Sequence, residues 1–238
     1  MTPDNRTMVG DERKGKPSAS GVERLALCPG SWALESKLPP EPESEDAASG
    51  TRIHAALAGD AEAYNSLSHD ELETLTTCRH LERDTRAVVL GNDVLVVHRE
   101  QRLWLGDSFS GQFDYLAIAE SKALMLDFKT GRGEVESAEG NLQLRAQAVL
   151  VAKEHPELEE ITVGIVQPWV SPQVSLCKYG RGDLRQAQVE LYQILDAASD
   201  PEAKRIPGEK QCKYCLGLTK CPEAQQWLRA FISSAIGA

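Results

Sequence analysis

Gly111-Gln112-Phe113-Asp114-Tyr115-Leu116-Ala117-Ile118-Ala119 and Ala123-Leu124-Met125-Leu126-Asp127-Phe128-Lys129 are two hydrophobic runs separated only by Glu120-Ser121-Lys122. Two such runs around a short polar step predict a β-hairpin. With the turn centred on Glu120-Ser121, Asp114 faces Asp127, and a four-residue loop over Ala119 to Lys122 gives the same register. Lys129 then shares a face with Asp127, two residues along the strand. Directly opposed like charges destabilise a sheet. At ~5 Å and an effective dielectric of about 20 their repulsion is roughly 3 kcal/mol. A chain that carries such a pair needs a cation beside it, and hard carboxylate oxygens suit Mg²⁺ or Mn²⁺.

Outward from the hairpin, Val94 to Leu105 is a further period-two run, so three antiparallel strands are expected. Glu100 lies on the first of them, either as a further oxygen for the acid pair or as an exposed strand residue. Thr130-Gly131-Arg132-Gly133 breaks the sheet into a loop beside the acids. A helix capped by Ser137 and running to about Glu154 places Gln143 and Gln147 on one face. Ile161 to Gln167 and Gln173 to Tyr179 are two more strands, and Pro168-Trp169 between them reads as packing. Asp183 to Ala197 is a helix, and Pro222 opens a last one to Ile236. Upstream, Ser20-Gly21-Val22-Glu23 and Ser68-His69-Asp70-Glu71 have the form of capping boxes. A helix from about Glu45 to Leu57, after the acidic linker Pro39-Pro40-Glu41-Pro42, carries Gly50 and His54 on one face.

The 238 residues, 41% hydrophobic and 26% charged, suit one sizeable core in a globular protein. No stretch reaches the length of a membrane span, and residues 1–17 lack the apolar core of a signal peptide. The expectation is a cytoplasmic protein with a disordered lead-in over 1–17 and one domain over 18–238. The net charge of −10 argues against a protein that coats nucleic acid without selectivity. The acid is unevenly spread: residues 41–100 hold 13 acidic and 5 basic side chains, residues 199–238 hold 4 and 6. Lys204, Arg205, Lys210, Lys213 and Lys220 read equally as a phosphate-facing surface or as a solvated face.

Cys212-x₂-Cys215-x₅-Cys221 reads as a metal site rather than as disulfides, and makes 199–238 a cysteine-bearing module. The fourth ligand must come from elsewhere, and Cys28, before Pro29 and just after a helical stretch, is the expected one. A Cys₄ set suits zinc and iron–sulfur clusters equally on its chemistry alone. Cys78 and Cys177 read as small buried hydrophobes.

Asp114 followed by Asp127-Phe128-Lys129 resembles the acid…acid-x-Lys signature of the PD-(D/E)XK nuclease superfamily, in its RecB-like branch. Ser49-Gly50-Thr51-Arg52-Ile53-His54 resembles that branch's Gly-Thr-x-x-His motif, and Asn141-Leu142-Gln143-Leu144-Arg145-Ala146-Gln147 its Gln-x-x-x-Tyr motif, with Gln147 where tyrosine is usual. The resemblance runs from about Ser20 to about Trp227. It implies a restriction-endonuclease-like α/β core, a mixed central sheet flanked by helices. It implies that His54, Asp114, Asp127 and the carbonyl of Phe128 hold Mg²⁺ or Mn²⁺, and that Lys129 and Gln143 act beside them. Phage-encoded members are similar in compact single-domain layout, and AddB-type and CRISPR-adaptation members in cysteine spacing. By that likeness Cys28, Cys212, Cys215 and Cys221 hold a [4Fe–4S] cluster joining the N- and C-terminal regions, with structural Zn²⁺ as the alternative.

The function so implied is a metal-dependent deoxyribonuclease, an exonuclease on DNA ends in recombination, repair or phage replication. Its partners would be DNA and a helicase or recombination protein, in the host cytoplasm if phage-encoded. The competing expectation is a non-catalytic iron–sulfur module that binds DNA or protein on the same fold. Gln147 and the acidic balance favour the latter, and the retained Asp114, Asp127 and Lys129 oppose it.

Overall fold

A computed structural model of the chain describes residues 13–39, 42, 44–91 and 93–236, without the side chains of 234–236. Most of the expected lead-in and part of the Pro39–Pro42 linker lie outside the described residues. Residues 13–17 lie against the body: the Pro17 carbonyl accepts from Ser110 N at 3.2 Å, and Lys14 Nζ stands 4.9 Å from the Trp104 ring centroid.

Short helices α1 (Val22–Leu27) and α2 (Ser31–Glu35) lead into α3 (Glu45–Ala58), α4 (Ala61–Ser66) and α5 (His69–Leu90). Then come β1 (Val96–Leu105), β2 (Phe109–Ala119), β3 (Lys122–Phe128), α6 (Leu142–Glu154), β4 (Glu160–Val166), β5 (Ser175–Gly180), α7 (Arg181–Ser199), α8 (Glu209–Cys212) and α9 (Pro222–Ile236). The five strands form one mixed sheet in the order β1-β2-β3-β4-β5, antiparallel except for β3 against β4. The parallel pair needs a crossover, which α6 supplies.

Both faces of the sheet are covered, which makes it the middle layer of three. On one face Leu116, Ile118, Met125 and Val163 pack against α6 and α7 through Leu144, Val151, Leu184 and Leu191. On the other, Tyr115, Ala117, Leu124 and Leu126 pack against α3 and α5 through Ile53, Leu57, Leu75 and Cys78. Alternation along β2 follows the pleat except at one place. Phe109 and Phe113 share a face with Leu116 and Ile118, so the side-chain parity slips by one around Asp114.

The β2–β3 register matches the sequence reading: Tyr115 pairs with Leu126 and Ala119 with Lys122. β2 starts four residues earlier than expected, because Gly106, at φ +56°, turns the chain tightly between β1 and β2. Ser68 and Glu71 form the expected capping box. Ser20 does not cap α1; its hydroxyl meets Ser18 Oγ, and Gly21 stands at the cap. Ser137 gives way to Asn141, whose side chain accepts from Leu144 N. Trp169 is 40% exposed, not packed as expected.

The two ends of the chain meet. Arg24 of α1 donates to the carbonyls of Gln211 and Tyr214 and pairs with Glu35 at 2.7 Å, and Glu35 accepts from Leu216 N. Gly30 N donates to Lys204 O, and a Cβ on Gly30 would strike Ala203 O, so only glycine lets the strands of chain approach this closely. Two of the basic side chains expected at the C-terminal surface are already paired: Arg205 with Glu223, and Lys210 with Glu136. No helix among the described residues is long and apolar enough to cross a membrane.

Candidate active site

The registers that build the sheet line up three acids. Residues across β1 and β2 pair as Arg99 with Tyr115 and Gln101 with Phe113, so Glu100 stands opposite Asp114. The β2–β3 register places Asp114 opposite Asp127 in turn. The β1–β2 ladder skips this row and resumes at Gln101 and Phe113, while the β2–β3 ladder stops just short of it at Tyr115 and Leu126. The Asp114 carboxylate instead accepts from Phe128 N at 2.6 Å, and Glu100 adopts a left-handed backbone with φ +47°. A non-glycine residue there costs about 1–2 kcal/mol, and the row of like charges is where the strands depart from regular geometry.

Each end of the row meets a cation from this chain. Lys129 Nζ lies 2.8 Å from Asp127 Oδ2. His54 Nδ1 lies 3.3 Å from Glu100 Oε1 and 3.5 Å from Asp114 Oδ1, while its Nε2 lies 2.9 Å from the Phe128 carbonyl. Since Nε2 faces a carbonyl, it must carry a hydrogen, and Nδ1 facing two carboxylates is best served by a second. Burial opposes the imidazolium, but the hydrogen bonds to Asp114 and Glu100 outweigh it and lift the His54 pKa to about 10. Burial and the neighbouring Asp127 push Asp114 upward against the pull of His54. For Lys129 burial again opposes the charge, and Asp127 prevails, raising the ammonium.

The helices on either face of the sheet deliver the remaining groups. α3 brings His54 because Ser49 and Arg52, one turn before it, are anchored on Glu71: Ser49 Oγ at 2.7 Å and Arg52 Nη2 at 2.7 Å. Burial works against the Glu71 charge, yet Ser49, the Ser68 amide and Arg52 hold it down at about 2. From the opposite face α6 brings Gln143, whose amide donates to Asp127 Oδ1 at 2.8 Å. Gln147 is buried and donates to the Gln112 carbonyl, and the Gln112 side chain donates to Glu100 Oε2 at 2.7 Å. It therefore braces β2 and does not reach Lys129.

His54, Asp114, Asp127, Phe128, Lys129 and Gln143 line one open cavity of about 350 Å³ with Thr130, Gly131, Gly133 and Val135. All the expected site residues on the sheet and helices are thus brought together. Glu100 is the one the sequence reading left undecided. His54, Glu100 and Asp114 each offer an atom within 4.8 Å of the others, a spacing that fits one cation. Asp127 Oδ2 is buried, and the Lys129 ammonium 2.8 Å away is its one near cation among the described residues. The acids and the histidine so placed suit a hard divalent ion at this sheet end.

Cys28, Cys212, Cys215 and Cys221 line a second, small cavity, with Leu34, Arg205 and Leu218. All four are free thiols. Ile206 N donates to Cys28 Sγ at 3.1 Å and Gly208 N to Cys212 Sγ at 3.5 Å. Burial pushes the Cys215 thiol up to about 11 and raises those of Cys28 and Cys221. Cys78 is wholly buried on α5 and Cys177 lies on β5, away from this group.

A sheet end where carboxylates, a lysine and a histidine converge defines a hydrolase of the metal-dependent kind that nucleases use. The sequence profile of the PD-(D/E)XK nuclease superfamily matches residues 16–222, and the chain belongs to that superfamily. Its fold is similar to that of a candidate exonuclease from Eubacterium rectale: 10% identity, TM-score 0.49, covering 95% of this chain and 93% of that one. LHK-Exo, the alkaline exonuclease of Laribacter hongkongensis, in its complex with dAMP shares 13% identity at a TM-score of 0.39 over 78% and 89% of the two chains. A phage-related exonuclease from Haemophilus somnus shares 13% at 0.34, over 77% and 92%. These are distant likenesses, and the assignment rests on the profile. No curated protein matches the chain.

Proposed function

We propose that the protein is a metal-dependent DNA exonuclease that hydrolyses phosphodiester bonds at the cavity between α3 and α6. The observation that carries the reading is the convergence of Asp114, Asp127, His54 and Gln143 on one cavity, with Glu100 beside Asp114 and Lys129 2.8 Å from Asp127. Three carboxylates against the Lys129 ammonium and the His54 imidazolium leave negative charge over, which a divalent cation would answer and an inactive remnant has no use for.

Asp114, Asp127 and the Phe128 carbonyl, with His54 and Glu100 beside them, would hold Mg²⁺ or Mn²⁺. The ion supplies an acidified water and charge neutralisation at the scissile phosphate. Lys129, kept protonated by Asp127, meets charge that builds on the phosphate oxygens, a task suited to a compact ammonium. Gln143 fixes the rotamer of Asp127 through its 2.8 Å hydrogen bond to Oδ1 and thereby turns Oδ2 toward Lys129 at the cavity.

Cys28, Cys212, Cys215 and Cys221, gathered on one cavity, would hold a structural [4Fe–4S] cluster, with zinc as the alternative that a Cys₄ set suits equally by its chemistry.

Digestion of linear and covalently closed DNA with Mg²⁺ and with Mn²⁺ tests the enzyme reading. The expected result is loss of linear DNA with closed circles left whole, and no cleavage by Asp127→Asn, whose fold should be as stable or slightly more so. Cleavage of circles would make it an endonuclease. Absence of any metal-dependent cleavage by the wild-type protein would overturn the reading.

A further inference from the structure

The loops leaving the parallel pair β3/β4 run side by side at the sheet end that holds the acids. Lys129 N donates to Val166 O at 2.8 Å, extending the pairing by one residue. The Gln167 side chain then donates to the Gly133 carbonyl at 3.3 Å and ties the second loop to the first. Beyond Gln167 the chain turns back: Val170 N and Ser171 N both donate to Gln167 O, at 3.0 and 2.9 Å. That turn lifts Trp169 and Val170 outward, each 40% exposed. Over the indole, 4.5 Å from its centroid, lies the guanidinium of Arg132. Arg132 sits between Gly131 and Gly133, both of which line the active cavity.

We infer that Arg132 and Trp169 form a stacking platform for an unpaired nucleotide of the substrate strand, next to the scissile phosphate. This rests on the nuclease reading and adds what that reading lacks, a preference for single-stranded ends. The chemistry selects the occupant. The Arg132 guanidinium covers part of the indole, the surface of Trp169 still in contact with water is apolar area that a second flat ring would cover, and the guanidinium itself answers an anion. A nucleotide has both an aromatic plane and a phosphate, one sugar apart. In a duplex the base faces are already occupied by neighbouring pairs, so only an unpaired base is free to stack. In a chain of net charge −10, a local cation at this rim also gives the strand a place to land.

Arg132 and Trp169 are positioning residues: they touch the strand but not the reacting atoms. The test uses full-length Asp127→Asn protein in Mg²⁺, which separates binding from turnover. Its affinity for labelled oligothymidine and for a blunt hairpin duplex is read by anisotropy, and indole emission is followed in the same titrations. Adding Trp169→Leu should weaken the single strand about tenfold or more, the size of one lost base–aromatic stack, and remove most of the quenching. The duplex should change by less than twofold. Adding Arg132→Gln instead should lower the salt slope by about one. Melting curves within about 2 °C of the parent will show that these loop changes leave the fold alone. In the otherwise wild-type enzyme Trp169→Leu should raise KM on single strands and spare kcat.

Single-strand affinity within twofold of the parent, or equal losses for single strand and duplex, would overturn the platform. The nuclease reading would survive that result so long as the wild-type enzyme still cleaves. If the wild-type protein neither binds nor cuts nucleic acid, both readings fall together.

Discussion

Glu100 holds φ +47° in mid-strand, and that backbone separates what the residue does for the fold from what it does for the site. A left-handed non-glycine costs about 1–2 kcal/mol, whereas glycine inside a strand loses roughly 0.5–1 kcal/mol to entropy. On the backbone Glu100→Gly relieves at least as much as it costs, which offsets the lost bonds to His54 and Gln112, and the metal-free variant should melt within a few degrees of wild type. If the carboxylate helps to hold the ion, the same variant should bind Mn²⁺ about tenfold more weakly in calorimetry. Unchanged Mn²⁺ affinity would remove Glu100 from the ligand set. A second prediction concerns His54. Its pKa rises from 6.5 to about 10 on folding, so its contribution is complete below pH 6.5 and disappears as pH climbs through the folded value. Thermal melts in EDTA should thus fall steadily between pH 7 and pH 9, and saturating Mn²⁺ should flatten the slope. A Tm that rises over that range would show that His54 is not held as the imidazolium. Asp114, Asp127 and Lys129 were legible in the sequence because the two-residue turn Glu120-Ser121 fixes their register. Glu100 was not, since its partner follows only once Gly106 is seen to turn β1 directly into β2.

At the scale of elements, local chemistry determined where most helices and strands lie but not all of their ends. Ser68 caps α5 as its spacing with Glu71 requires, while Ser20 and Ser137 have the same chemistry and cap nothing. Tertiary contacts decide those cases: Ser20 is drawn to Ser18, and residues 137–140 turn before Asn141 takes the cap. Helices α2 and α4, five and six residues long, are too short for a helical period to show. The parity slip at Asp114 is invisible to any alternation rule, because it arises from carboxylates that the strands must accommodate. Gly111 marks where element packing and site meet. A Cβ there would stand 2.8 Å from Leu150 Cδ1, 3.1 Å from the Ala19 Cβ and 3.3 Å from Gln147 Cγ. Gly111→Ala should therefore push α6 away from β2 and destabilise the fold by about 1–3 kcal/mol. Because α6 also carries Gln143, kcat should drop in the same variant. Urea unfolding and steady-state assays measure the two effects. A drop in stability without one in rate would mean that Gln143 tolerates movement of its helix.

On the scale of the whole molecule, one device closes the N- and C-terminal regions on each other, and the proposed metal site would add a second. One is made of protein alone: Arg24 and Glu35 grip the backbone of residues 211–216, and Gly30 abuts 203–204. The other is the cysteine quartet, which spans residues 28 to 221 and would constrain the unfolded chain over nearly its full length. The three clustered cysteines were legible from spacing, and Cys28 from its place after a helix. The Arg24–Glu35 grip was not, since nothing local distinguishes an arginine that will hold distant carbonyls. Protein purified without oxygen should be brown, absorb broadly near 400 nm and contain about four irons per chain. Serine at Cys28, Cys212, Cys215 or Cys221 should remove the colour and lower Tm, yet leave a cooperative unfolding transition, because the Arg24–Glu35 grip persists. Serine at Cys78 or Cys177 should keep the colour, as neither lines the cavity. Glu35→Gln should do the reverse of the cysteine variants, retaining iron while loosening residues 211–216 to proteolysis. A colourless preparation with one zinc per chain would replace the cluster with the zinc site. It would leave the sheet-end acids untouched, because no cysteine of the quartet lines their cavity.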